Sequence, residues 1–449
     1  MKILFVSLGC DKNLVDSEIM LGLTRDHGFE ITNDESMADV IVVNTCAFIQ
    51  DAKQESIETI LEMAEYKNTG VCKVLIVTGC LAQKYKEEIY DEIPEVDGVV
   101  GSTSYDEIVN VIDRCMNGEK RVSEFKELEY LSDQETKRIV TTGGTFSYLK
   151  IAEGCNKHCT YCIIPSLRGR YRSVPMERLI KQAKELAENG VKELMIVAQE
   201  TTLYGVDLYG EKTLPRLLRE LCKVEGIEWI RILYCYPEEI TDELIQVMKE
   251  EKKVCNYLDI PIQHGTDEIL KKMARRTNKQ EIKDIVNKLR TELPDIVLRT
   301  TLITGFPGET EELHNELLEF VNEMKIERLG VFTYSKEEGT PAAKLKGHVT
   351  KKVKEARQRE LMAAQQKIAF QHAQDMIGKE LEVMIEGKLP EEGEEPGEYV
   401  YIGRTYMDAP NIDGYIFVNV DGIDIMSGTF AKVKVIDANG YDLIGELVE

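Results

Sequence analysis

At 449 residues the chain has room for about three domains of roughly 100–200 residues each. Its 80 acidic and 56 basic residues give a formal charge of -24, which argues against a protein that coats nucleic acid through phosphate contacts. No apolar run approaches the roughly 18 residues of a bilayer span, and 11 cysteines are too sparse for a disulfide scaffold, so a cytoplasmic protein with reduced, metal-binding or catalytic thiols is expected.

The first ten residues, Met1 to Cys10, resemble a short lipoprotein signal. The charged Asp11-Lys12 follows at once, and a buried first strand is the expected reading. Ile3–Leu8, Val40–Asn44 and Val74–Thr78 are short apolar runs rich in β-formers, and Val99-Val100-Gly101 is a fourth candidate. Amphipathic stretches such as Asp16–His27 and Asp51–Tyr66 separate them, so residues 1–124 read as a doubly wound α/β domain with a parallel sheet. Residues 125–144 are charged and then Thr/Gly-rich, and read as a linker.

From 145 to 345 a second alternation follows. Its strand candidates are Tyr148–Ile151, Glu193–Ala198, Trp229–Leu233, Tyr257–Ile260, Val297–Ile303 and Leu329–Phe332, with helical patterns such as Met176–Asn189 and Thr266–Arg276 between them. Six βα units predict a partial (βα)6 TIM-like barrel. Residues 346–378 contain no Pro and read as one long helix bridging outward. Between 379 and 449, Val383–Ile385, Tyr399–Ile402, Ile416–Val420, Phe430–Val435 and Leu443–Leu447 predict a five-stranded antiparallel β-barrel, with Glu391–Glu398 as a solvated acidic loop.

The sharpest motif is Cys155-Asn156-Lys157-His158-Cys159-Thr160-Tyr161-Cys162, spaced C-x3-C-x2-C. Three thiolates this close reach three corners of a 4Fe-4S cube and leave one iron open. The motif follows the first strand of the second alternation, on the face where barrel enzymes keep their chemistry. The competing readings are three buried cysteines, or a zinc site completed by His158, although the paired elements usual for zinc are missing. The motif resembles the radical S-adenosylmethionine (SAM) superfamily. The resemblance implies that the open iron binds SAM and passes it an electron, which yields a 5′-deoxyadenosyl radical. Gln199 and Glu200, Gln263, and Gly305 and Gly308 each follow a later strand candidate. They are candidates for the SAM pocket, and each also has a plain reading as part of a βα turn.

Cys10, Cys46 and Cys80 are separated by 36 and 34 residues, yet each lies just past a candidate parallel strand. Thiols at adjacent strand ends converge where open α/β sheets bind ligands, so these three suit a second cluster. They also suit buried packing, as do Cys72, Cys115, Cys222, Cys235 and Cys255. Ser7 to Glu18, Asn44 to Ile49, Thr78 to Gln83 and Glu153 to Gly169 together resemble the motifs of the methylthiotransferase family. That resemblance spans the chain and implies an amino-terminal methylthiotransferase domain, a radical-SAM barrel and a TRAM barrel. It further implies two 4Fe-4S clusters, the front one on Cys10, Cys46 and Cys80 carrying or activating the sulfur, and an electron donor such as flavodoxin or ferredoxin.

Residues 376–449 hold 5 basic and 16 acidic residues, a net of -11. A barrel that grips tRNA needs the opposite sign, whereas this one suits a basic protein. Lys12 to Asp16 and Tyr406 to Gly414 resemble the RimO branch of the family, with Asp11 where that branch has Pro and Asn411 where an acidic residue is common. The branch implies methylthiolation of an aspartate β-carbon in the basic ribosomal protein uS12. One SAM would methylate cluster-bound sulfur, and a second would generate the radical that activates the C–H bond. The rivals are a tRNA methylthiotransferase acting on an adenosine near the anticodon, a non-enzymatic iron–sulfur sensor, and an enzyme with a single functional cluster.

Overall fold

The computed structural model describes residues 1–133, 137–389 and 398–448. The first sheet contains β1 (Lys2–Ser7), β2 (Glu30–Ile31), β3 (Val40–Thr45), β4 (Val74–Gly79), β5 (Gly98–Gly101) and β6 (Val122–Glu124). Every pairing is parallel and the order is β2-β1-β3-β4-β5-β6. β3, β4 and β5 are buried along their whole length, as continuous apolar strands covered on both faces must be. Two edge strands, β2 and β6, carry too few apolar residues to stand out in the sequence.

The second sheet begins with β7 (Phe146–Lys150). A small antiparallel ribbon follows, β8 (Ala152–Glu153) with β9 (Arg172–Ser173), and it closes the base of the cysteine loop. The sheet continues through β10 (Glu193–Val197), β11 (Trp229–Ile232), β12 (Val254–Asp259), β13 (Val297–Thr304) and β14 (Arg328–Thr333). Its six parallel strands stand in chain order and the sheet does not close, which is the partial barrel expected. The long helix spans Lys351–Gln374, and its last turns reach the small barrel, where Phe370 packs on Tyr441 and Gln374 Nε2 donates to Ala438 O at 3.2 Å. Gln358 Nε2 donates to Val331 O at 2.7 Å, and Leu361 and Ile368 enter the barrel's core, so the helix covers the open edge at β14.

β15 (Glu380–Lys388), β16 (Glu398–Thr405), β17 (Ile416–Asp421), β18 (Phe430–Asn439) and β19 (Asp442–Leu447) form a closed barrel in the order β15-β16-β17-β19-β18. The expectation of an antiparallel barrel needs one correction, because β17 and β19 are parallel. A closed ring with an odd number of strands cannot alternate direction throughout, so one parallel junction is required. Apart from the backbone of Glu398, the acidic segment 391–398 lies outside the described residues.

The lumen of the open barrel is filled by its neighbours. Phe146, Tyr148, Met195, Trp229 and Tyr257 pack in one core with Val15 of the first helix and with Tyr401, Met407 and Ala409 of the small barrel. Charged groups lock this junction. Arg231 Nε donates to Glu193 Oε1 and Arg404 Nη2 to Glu193 Oε2, each at 2.7 Å, and all three side chains are fully buried. Arg328 pairs with Asp408 at 2.6 Å, and Tyr257 donates to Asp413 at 2.8 Å. Replacing Arg404 with Met leaves Glu193 Oε2 and Glu386 without their guanidinium, and is expected to lower unfolding stability by about 3–5 kcal/mol. Denaturant titration followed by circular dichroism measures this, and an unchanged midpoint would contradict the locking role.

Candidate active site

Cys10, Cys46 and Cys80 follow β1, β3 and β4, three adjacent strands around the point where strand order reverses. The chain turns sharply at two of them. Gly9 has φ +88°, and a Cβ there would stand 2.7 Å from Cys46 Cβ; Gly79 has φ +90°, and a Cβ there would strike Asn44 Oδ1. Only glycine permits both the left-handed turn and the close approach. Asn13 ties the three segments together. Its Nδ2 donates to Leu8 O at 3.1 Å and to Thr45 O at 2.9 Å, and its Oδ1 faces Cys80 Sγ at 3.9 Å. Burial, with Cys80 and Cys10 adding to it, pushes the Cys46 thiol up to about 12. Burial also raises Cys80, against the pull of the Arg168 guanidinium.

The rear triplet leaves β8 through Gly154, whose φ of +75° lets it pass the Arg170 carbonyl without a side chain. Cys155 N donates to Gly169 O at 3.1 Å, and Cys162 N to Cys159 O at 3.1 Å, so the loop is folded back on itself. Burial lifts Cys155 to about 11 and Cys162 to about 12, each also raised by its neighbouring thiols. Cys159 Sγ accepts from Arg275 Nη1 at 3.8 Å and shares a hydrogen bond with Tyr236 OH at 3.7 Å. Arg275 is buried, stacked 4.2 Å from the Tyr236 ring centre.

Three thiols in each triplet are the soft donor set that an iron–sulfur group would take. All eleven cysteines are free. Among the described residues no three His, Cys, Asp or Glu groups stand as one ion's ligands, and His158 is exposed, away from the zinc role considered for it. A cube spreads its thiolates wider than one ion's shell does, and its binding would release the protons that burial keeps on Cys46, Cys80, Cys155 and Cys162. The other five cysteines pack in or against the hydrophobic cores.

A buried ion network joins the triplets. Arg168 Nη1 donates to Asp16 Oδ2 at 2.7 Å and Glu153 Oε2 at 3.1 Å, and its Nη2 donates to Asn13 Oδ1. Lys150 bonds the same two carboxylates, at 2.8 Å for Glu153. Burial would raise Glu153, yet the two cations hold its carboxyl well below the usual range. A second link runs through Tyr234-Cys235-Tyr236. Tyr234, held at φ +60°, donates to Asp11 Oδ1 at 3.2 Å, while Tyr236 reaches Cys159. A bulky residue in this conformation signals constraint. None of Asn13, Asp16, Glu153, Arg168, Tyr234, Tyr236 and Arg275 was assigned a role from sequence, although the first four stand inside the cysteine motifs.

The pocket candidates divide. Gln199 donates to Glu153 at 2.9 Å and leaves its Oε1 unpartnered. Glu200 is fully buried, with Oε1 bonded to Thr202 and Oε2 unpartnered, and it acts electrostatically on Cys155. Gln263 continues β12 by a bridge to Leu302, with φ +72°. Gly305 and Gly308 turn left-handed beneath Lys354 and beside Lys272, and Gly305 N donates to Glu309 Oε2 at 2.8 Å. The structure therefore brings Gln199 and Glu200 to the rear triplet, and packs the two glycines against the barrel's outer helices.

Comparison with known proteins defines the class. Residues 2–101 match the uncharacterized protein family UPF0004, 149–321 the radical SAM superfamily, and 377–448 the TRAM domain. The fold resembles the radical S-adenosylmethionine methyltransferase TsrM from Kitasatospora setae, with TM-score 0.56, 14% identity and 76% of each chain covered. It also resembles the cobalamin-dependent S-adenosylmethionine radical enzyme OxsB, with TM-score 0.53, 12% identity, and 81% of this chain and 56% of that one covered. At such identities the likeness is one of fold. Relatives in sequence are closer. The ribosomal protein uS12 methylthiotransferase RimO of Lachnoclostridium phytofermentans is 67% identical over 99% of both chains, and that of Clostridium perfringens is 50% identical over 99% of this chain and 97% of its own. The chain belongs to the RimO family of radical-SAM methylthiotransferases.

Glu200 gives this site a pH signature. Burial raises its pKa from 4.5 to about 7. The folded chain therefore holds this proton more tightly than the unfolded chain, and stability should fall as pH rises from about 4.5 to about 7, then level off. Glu200→Gln is expected to remove that slope from the denaturation midpoint of the metal-free protein. A parallel profile in the variant would contradict it.

Proposed function

We propose that this enzyme adds a methylthio group to the β-carbon of an aspartate in ribosomal protein uS12. The carrying observation is the pair of cysteine triplets, set at strand ends of two parallel sheets and joined by Arg168, in a chain 67% identical to a uS12 methylthiotransferase. A ribosomal target would place the reaction in the cytoplasm.

In this reading Cys155, Cys159 and Cys162 hold a 4Fe-4S cluster, and Cys10, Cys46 and Cys80 hold the auxiliary one. The rear cluster would supply an electron to SAM and hence a 5′-deoxyadenosyl radical, and the front cluster would carry the sulfur to be methylated and transferred. A radical is needed because no side-chain base removes so weakly acidic a proton at neutral pH. The chain's own residues orient and exclude water. Glu200 and Gln199 offer unpartnered acceptors to a bound SAM, and Gln263 follows the end of a later strand, β12. Asn13 and Arg168 fix the front thiols relative to Glu153 and the rear loop.

The acidic small barrel would meet the basic substrate. Part of its charge is internal, since Glu386, Asp408 and Asp413 face arginines and a tyrosine. Glu380, Glu382, Asp437 and Glu446 are exposed and remain available to a basic partner.

Anaerobic assay of reconstituted protein with SAM, a reductant, a sulfur source and uS12, read by mass spectrometry, tests the assignment. Cys155→Ala should abolish both 5′-deoxyadenosine formation and product. The Cys10, Cys46 and Cys80 triple alanine variant should still cleave SAM but transfer no methylthio group. A wild-type enzyme that leaves uS12 unmodified would overturn the substrate assignment.

Arg275 should tune the rear cluster, because a buried cation donating to a thiolate favours the reduced state. Arg275→Met is expected to move the midpoint potential more negative, with Arg275→Lys in between. Redox titration followed by electron paramagnetic resonance reads the order, and equal potentials would contradict it.

A further inference from the structure

We infer that the face around the Cys159–Cys162 loop is a docking surface for an acidic protein that carries one electron. The inference rests on the rear-cluster assignment and adds to it the place on this chain where such a donor docks. Three segments build this face. Thr160, between the two cysteines, donates its N to Met273 O at 3.0 Å and its Oγ1 to Lys272 O at 2.8 Å, and Ala342 N donates to Thr160 O at 2.8 Å. Tyr161, Met273, Ala342 and Leu345 share one small apolar cluster.

The charge of this face is opposite to that of the molecule. Residues 154–172, 269–280 and 340–354 together hold 14 Lys and Arg and no Asp or Glu, in a chain whose net charge is -24, and Lys157, Arg168 and Arg275 are the buried ones among them. Some of these cations are compensated, as Lys272 is by Glu268 and Lys157 by Glu238 and Glu239. Lys271, Arg276, Lys344 and Lys346 are exposed, and none forms an ion pair among the described residues.

The cysteine loop itself reaches solvent beside the patch. Cys155 and Cys159 are buried, Asn156 and His158 are exposed, and Thr160, Tyr161 and Cys162 are half-buried, with Thr160 and Tyr161 touching the other two segments. Electron transfer falls off steeply with distance, so the donor must approach this loop. Charge alone would suit RNA equally well; placement over the electron's point of entry favours a carrier. In the step, one electron leaves the carrier's reduced cofactor and enters the rear cluster, and no covalent bond forms or breaks.

The test uses reconstituted enzyme, an acidic reduced flavodoxin and a reduced viologen as small-molecule control. Combining Lys271→Glu, Arg276→Glu, Lys344→Glu and Lys346→Glu should slow cluster reduction by flavodoxin about tenfold or more, and weaken flavodoxin binding in titration calorimetry, while leaving the viologen rate unchanged. In the unmodified enzyme the flavodoxin rate should fall steeply with added salt, which decides the matter if the variant takes up no iron. An unaltered flavodoxin rate in an iron-loaded variant, a salt-independent rate in the parent, or a variant that loses only RNA binding would overturn the inference. A parent enzyme that the viologen cannot reduce would instead overturn the cluster assignment.

Discussion

The arrangement depends on one buried constraint, the guanidinium of Arg168 held among Asp16, Glu153 and Asn13. Together with Lys150 it makes a cluster of two cations and two carboxylates, all buried. Ionised groups in such a place are tolerated only when each is paired and hydrogen-bonded, so any shift of one partner leaves another stranded. Such a network contributes little net stability. Its value is geometric, because Asn13 and Asp16 belong to the helix behind Cys10, and Glu153 and Arg168 flank the rear cysteine loop. Fixing the four side chains fixes the two triplets relative to each other.

The same logic explains why the first helix is buried on nearly every side although its sequence is polar. Lys12, Asn13, Asp16, Ser17 and Glu18 are all buried. Ser17 Oγ accepts from Asn44 and donates to Ser7, and Glu18 accepts from Thr141 of the connecting segment. The helix is a wedge between two sheets, and each polar residue meets a different neighbour. An open barrel needs such wedges, because its lumen lacks the closing strands that would fill it. The first helix enters from one side and Tyr406 to Asp413 from the other, with Arg231 bonding the Tyr406 carbonyl.

Most strands were legible because a buried parallel strand writes itself as a continuous apolar run, and a cysteine behind a run marks the ligand-binding end. Cys10, Cys46 and Cys80 were legible for that reason, and Cys155, Cys159 and Cys162 from their spacing. The residues that set them were not, because a buried Asn, Asp or Arg looks in sequence like a solvated one. The first helix was expected from Asp16 and begins at Asp11, since its opening turn carries the polar residues that face the network. The parallel junction of the small barrel was hidden for a different reason, being a property of ring closure and of no single strand. Gly305 and Gly308 were read for close approach to a ligand, and their close approach is instead to Lys354 and Lys272. Glycine spacing reports that something comes near, not what it is.

Charge shows the same limit of sequence averages. A net charge of -24 suggests a uniformly acidic surface. Folding partitions it. Asp408 and Asp413 of the small barrel turn inward to Arg328 and Arg299 of the larger one, which reduces the excess presented to solvent. Three segments that meet at the rear cysteine loop, residues 154–172, 269–280 and 340–354, contain no acid, and the acids beside them, Glu238, Glu239 and Glu268, are taken up in ion pairs. Opposite signs on separate faces let one enzyme attract partners of opposite charge without competition between them. A reaction that consumes an electron and also engages a basic protein has use for that separation, since the two encounters must occur on the same molecule within one catalytic cycle.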